Sequence, residues 1–232
     1  IIADGDGMMI QEIDRMTHHL VWQYGVKDTQ GALPGLLHQP DKAFKINDHE
    51  VLVNDGNNRR VIIIDERTNA IVWQYGETLK MGTKPGYLRG NTSVRPLDDG
   101  QKILITDTLE KKIMLIDRAT KQIEWEWRKP DAKWIQHVSL TPQNTFLMED
   151  RQKNEVFELS RDGQILWDLT TLADGSTLHY PTDAIKLGNG NVLIAEAGRG
   201  RVIEVNPPTR EIVKTYPKVG FVTTIAIDYQ AP

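Results

Sequence analysis

Five times along this chain a short apolar run ends in an acidic residue, passes through a polar turn and resumes as a second apolar run. The five stretches are IIADGDGMMIQEID from Ile1, VLVNDGNNRRVIIID from Val51, ILITDTLEKKIMLID from Ile103, FLMEDRQKNEVFELS from Phe146 and VLIAEAGRGRVIEVN from Val192. Each run is β-branched or alternates apolar with polar, and Gly, Asn and Asp punctuate it, which predicts strands joined by tight turns. The starts lie 43 to 52 residues apart, the period of a four-stranded propeller blade. Nothing reads as a long amphipathic helix.

Each unit can be completed on both sides. After the second run comes a third strand: HHLVWQYG, AIVWQYG, QIEWEW, QILWDL and EIVKTY. Before the first run lies another short strand, in DKAFKINDHE from Asp41, TSVRPLDDGQ from Thr92, HVSLTPQNT from His137 and TDAIKLGNGN from Thr182. Labelled from the innermost outward, these are strands A to D of a blade. The first unit lacks its strand A, and VTTIAIDYQAP at Val222–Pro232 reads as the spare strand that supplies it. The sequence therefore predicts an all-β, five-bladed β-propeller of four-stranded antiparallel blades, closed by its C-terminal strand so that no sheet edge is left free. The expected single domain spans 1–232, with blade one at 1–25 plus 221–232, and the others at 40–76, 91–128, 135–168 and 181–217.

The pentapeptide VWQYG occurs twice, at Val21–Gly25 and Val72–Gly76. It reads as a phrase for building blades, with valine and tryptophan packing the outer strand and glycine releasing the chain into a loop. Those loops also match: a glycine after five residues, then PG two residues on, then leucine, reaching Leu37-His38 and Leu88-Arg89.

At 232 residues, 39% of them hydrophobic and 26% charged, the chain can bury a substantial core. A formal charge of −4 does not fit a general nucleic-acid binder. With no cysteine there is neither a disulfide framework nor a thiolate metal site. No apolar run approaches the roughly 20 residues that cross a bilayer, so membrane insertion is not expected, and a monomer is. The sequence starts at Ile1, which fits an exported protein without its leader as well as an excised domain.

LHYPTDAIKLGNGNVLIAEAGRGRVIEVN from Leu178, and its echo from Leu37, resemble the NHL-type propeller repeat. The C–D stretches are similar to the PQQ-type repeat of the quinoproteins, with Asp65, Thr68 and Trp73 at its Asp, Thr and Trp positions. Asp14, Thr17 and Trp22 match too, as do Asp117, Thr120 and Trp125, although His18, Asn69 and Lys121 stand where the repeat has glycine. Arylsulfate sulfotransferase-like propellers share strands of this flavour. The resemblance covers the whole chain and implies the blade superfamily, and with it an exported location is the expectation. It implies no quinone cofactor, because family enzymes that hold one are larger, eight-bladed rings. No other cofactor is expected.

Trp22, Trp73, Trp125 and Trp167 recur once per strand D and read as packing between blades; Trp127 and Trp134 fall outside the repeat. Asp4, Asp55, Asp107, Asp150 and Glu196 end the B strands. Carboxylates there cap backbone N–H groups more readily than they converge on one metal ion. Chemistry is better sought where the D–A loops deliver the chain to strand A. One position there reads His38, Arg89, Lys133, His179 and Gly220, and another two residues into the strand reads Lys42, Ser93, His137, Asp183 and Thr224. Cationic and protonatable groups collected at the channel mouth of an acidic protein favour an anion. His38, Arg89, Lys133, His137 and His179 are thus the candidate ligand-binding residues, with no metal site assigned.

The first functional reading is a non-catalytic module that binds an anionic small molecule or a protein segment. The alternative is an enzyme with a histidine-lined channel. Some NHL-like lyases hold a metal on channel histidines, and His38, His137 and His179 are the residues to consider for that role. In the sulfotransferase-like version one histidine is a nucleophile beside Arg89 or Arg95.

Overall fold

The computed structural model describes residues 1–216, which form five antiparallel sheets. Blade one contains β1 (Ile2–Asp4), β2 (Met9–Ile13) and β3 (Leu20–Tyr24). Blade two contains β4 (Pro40–Lys45), β5 (Glu50–Asp55), β6 (Arg60–Asp65) and β7 (Ala70–Tyr75). Blade three contains β8 (Asn91–Leu97), β9 (Lys102–Asp107), β10 (Lys112–Asp117) and β11 (Ile123–Arg128). Blade four is β12 (Ile135–Leu140), β13 (Phe146–Asp150), β14 (Glu155–Leu159) and β15 (Ile165–Leu169). Blade five is β16 (Pro181–Lys186), β17 (Val192–Glu196), β18 (Arg201–Val205) and β19 (Ile212–Tyr216). The strands pair in chain order within every sheet. This is the all-β, five-bladed propeller fold. The strand expected to complete blade one, and the positions Gly220 and Thr224, lie outside the described residues.

Two compact units divide the chain, Ile1–Lys129 with blades one to three and Pro130–Pro232 with blades four and five. In the first unit the middle strands of blade two are apolar on both sides. Val51, Val53, Ile62 and Ile64 pack with Ile10, Tyr24 and Leu37 on the blade-one side. Leu52, Val61 and Ile63 pack with Val94, Ile103, Ile105 and Met114 on the blade-three side. A strand sandwiched between two sheets has no polar face, so VIIID reads as an unbroken apolar run. In the second unit Leu147 and Val156 meet Ala184, Val192, Ile194 and Ile203 in the same way.

Three of the strand-D tryptophans clasp successive blades. Trp22 Nε1 donates to Asn69 Oδ1 at 2.8 Å, Trp73 Nε1 to the Arg118 carbonyl at 2.8 Å, and Trp167 Nε1 to the Pro207 carbonyl at 3.1 Å. Each acceptor sits in the C–D turn of the following blade. The valines of VWQYG do not pack as expected: Val21 and Val72 are exposed. Strand D is the outermost strand, so residues alternating with the tryptophan face away from the core.

Tyrosine has the role that the sequence left unassigned. The buried Tyr24 and Tyr75 accept, at their hydroxyl oxygens, the N–H of Gly35 at 2.8 Å and of Gly86 at 3.1 Å. VWQYG therefore fixes the Pro-Gly turn of its own loop. Its glycine is obligatory for two reasons: Gly76 has φ +94, and a Cβ there would overlap the Arg59 carbonyl oxygen.

Candidate functional site

Each D–A loop is anchored by an apolar residue and by the acid that ends strand B. Leu37, Leu88, Ala132 and Leu178 are fully buried at the loop ends. The next residue donates its backbone N–H to the acid: His38 to Asp55 at 2.8 Å, Arg89 to Asp107 at 2.8 Å, Lys133 to Asp150 at 2.7 Å and His179 to Glu196 at 2.7 Å. The four candidate positions are thus structurally equivalent. The carboxylates are backbone hubs, as strand-end acids favour. Asp55 also takes Arg60 Nε at 2.7 Å, and Glu196 takes Arg201 Nε at 2.5 Å.

With the backbone held this way, the side chains at these positions are left for other use. His38 is half-buried, and Lys133 and His179 are exposed. None of the three side chains has a hydrogen-bond or ion-pair partner among the described residues. The His179 ring lies over Gly198, where a Cβ would overlap it. Arg89 differs, because its Nη1 pairs with Glu110 Oε1 at 2.8 Å. Arg89, followed by Arg128, holds the Glu110 carboxyl below the usual carboxylate range.

His137 sits on β12 and is buried, its Nδ1 2.7 Å from the Thr182 carbonyl oxygen and its backbone N–H donating to Glu149 Oε1 at 2.9 Å. It lies where the β12–β13 register shifts between Ile135 and Val138, and a bulge of this kind re-aims side chains. The same shift occurs at this end of β4, β8 and β16. Among the described residues no group of three or more histidines and acids is placed to hold a metal ion.

The second unit adds residues that pattern reading did not single out for binding. Arg151 follows the strand-end acid of blade four, where the other blades have Gly5, Gly56, Thr108 and Ala197. Its guanidinium carbon is 4.5 Å from the Tyr180 ring centroid and 5.3 Å from that of Trp134. Its Nη1 donates to Gln136 Oε1 at 2.8 Å. Trp134 and Tyr180 directly follow Lys133 and His179. The signal was present in the sequence as a break in the repeat, an arginine where the other copies carry a small residue.

Sheet order and blade clasps define a β-propeller, and comparison with solved structures agrees. A protein of unknown function from Bacteroides caccae aligns with TM-score 0.65 and 16% identity, over 92% of this chain and 71% of its own. Virginiamycin B lyase from Staphylococcus aureus, a catalytically inactive form with quinupristin, aligns with TM-score 0.62 and 14% identity. The match covers 91% of this chain but only 64% of the lyase. The WD40 propeller domain of Doa1 gives 0.61 and 10% identity, over 94% of this chain and 64% of that domain. At these identities the likeness is one of fold. No curated protein sequence matches significantly.

The family is established by sequence. The model described as outer membrane protein assembly factor BamB, of the PQQ-like repeat class, matches residues 1–168 and 57–213. The chain belongs to this BamB-like family of PQQ-type propellers.

Proposed function

We propose that the protein is a non-catalytic binding module that holds acidic protein segments at the loop ends of its blades, within each compact unit taken by itself. The observation that carries this reading is the common anchoring of His38, Arg89, Lys133 and His179. Backbone hydrogen bonds to buried carboxylates hold the four positions alike, while the side chains of His38, Lys133 and His179 are left uncommitted. Rigid scaffolds that present variable side chains on fixed loops are built for recognition. Cationic and protonatable groups at repeated positions favour an anionic guest. A protein segment is favoured over a small molecule by the family description, which names an assembly factor. Arg89 contributes through its pair with Glu110, and His137 by fixing β12 against β16.

The test is fluorescence anisotropy with a labelled hexaglutamate peptide at low salt. The wild type binds, and the affinity falls as salt rises, because exposed charges are screened. The triple variant His38→Glu, Lys133→Glu, His179→Glu binds at least about tenfold more weakly with an unchanged melting temperature, since the lysine charge is reversed and two further negative charges face the acidic peptide. Equal affinity in the triple variant contradicts the proposal.

A further inference from the structure

Within the second unit, we propose that Arg151, Trp134 and Tyr180 form a carboxylate-recognition site, a reading that rests on the binding function proposed above. Arg151 interrupts a position otherwise held by glycine, threonine or alanine. Sites that break a local rule of their own repeat are where function is expected.

The site is built before any guest arrives. Trp134 is fixed by its N–H to Asp150 Oδ1 at 3.0 Å and by its carbonyl, which accepts the Arg151 N–H at 3.0 Å. Tyr180 is fixed by its N–H to Asn154 Oδ1 at 2.7 Å and by its carbonyl, which accepts the Ala197 N–H at 3.1 Å. Between the two rings the guanidinium is held by Gln136 through one nitrogen. Stacking on aromatic faces suits a weakly hydrated, planar cation and leaves its donor edge pre-aimed.

Two donors in the cluster have no acceptor among the described residues: the buried Arg151 Nε and the buried Trp134 Nε1. Nη2 of Arg151 likewise has no partner there. Buried donors are almost always satisfied, so this concentration points to an acceptor beyond the described residues, a role that a bound carboxylate fits. A planar guanidinium fork matches a carboxylate in two parallel hydrogen bonds. The aromatic walls accommodate the apolar stem that carries it. Lys133 and His179, the immediate chain neighbours of the two rings, add exposed cationic and protonatable groups. Asp150, the nearest acid in sequence, is fully buried and committed to backbone N–H groups.

A carboxylate can come from a small acid or from an acidic side chain of a peptide, and two probes separate these sources. Sodium benzoate and the hexaglutamate peptide are titrated into wild type, Arg151→Gln and Arg151→Lys. Binding is read by anisotropy for the peptide and by the arginine Nε–H NMR signal for both probes. The expected result is a shifted Arg151 signal in the wild type and at least a tenfold loss of affinity in both variants, with melting curves unchanged. Loss in Arg151→Lys is informative because lysine keeps the charge and lacks the fork. A shift with hexaglutamate alone identifies a peptide source, and one with benzoate identifies a free acid; both support the site. If neither Arg151 variant weakens binding while the triple charge reversal abolishes it, the carboxylate site is wrong and the binding module stands. If no probe moves the Arg151 signal and the triple reversal is without effect, both fall.

Discussion

The carboxylate of Asp65 shows how much of this protein's polar chemistry is devoted to turns. The Arg67 side chain, then the Arg67 backbone N–H, holds it well below its ordinary 3.8, at about 2. Because the folded value lies below the unfolded one, the stabilisation is present above about pH 4 and is lost as pH falls toward 2. Arg67 is exposed, so the effect is small and screened by salt. An NMR titration should give Asp65 a pKa near 2 that rises in 1 M salt, whereas a value near 3.8 contradicts the pairing. Trp73 belongs to the same scale. Trp73→Phe removes the hydrogen bond to the Arg118 carbonyl but keeps the ring in the core, and is expected to cost about 1 kcal/mol. Val72→Thr, on the exposed side of the same strand, should cost under about 0.5 kcal/mol by denaturant unfolding.

At the scale of elements, the repeated loop is a single unit made of VWQYG, its Pro-Gly turn and the leucine at its end. Gly76→Ala combines a positive φ with a clash against the Arg59 carbonyl and is predicted to destabilise by more than about 2 kcal/mol. Gly35 also has a positive φ, of +86, but open space around it, so Gly35→Ala should cost only about 1 kcal/mol. Equal losses at the two glycines would contradict this account. Ion pairs also repeat between blades: Lys45 reaches Glu12 at 2.6 Å, and Lys186 reaches Glu158 at 2.6 Å. Lys186 and Glu158 are the more buried pair. Lys186→Met should therefore cost about 2 kcal/mol, and Lys45→Met about 1 kcal/mol or less.

At the scale of the molecule, strand order was legible because each blade must bury both faces of its middle strands, and that requirement writes the same apolar runs at each repeat. The strand-end acids were legible for a similar reason: a carboxylate at a strand end serves neighbouring backbone N–H groups, so a local backbone role was the consistent reading. Loop equivalence was legible in His38, Arg89, Lys133 and His179, but their engagement was not. Whether Arg89 meets Glu110 depends on a turn in the next hairpin that no spacing rule specifies. Tyr24 and Tyr75 were passed over because a tyrosine beside a tryptophan reads as more core, and its hydroxyl bond depends on where the loop returns. Arg151 was not legible from equivalence between repeats, because it is informative through departing from the repeat.

The claim that binding uses the loop ends of the blades is tested most directly by mapping backbone amide shifts as hexaglutamate is added. The account predicts shifts clustered at residues 36–39, 87–90, 132–136 and 178–181, with residues of the outermost strands β3, β7, β11, β15 and β19 unmoved. Shifts confined to those outer strands, or none at saturating peptide, would contradict it.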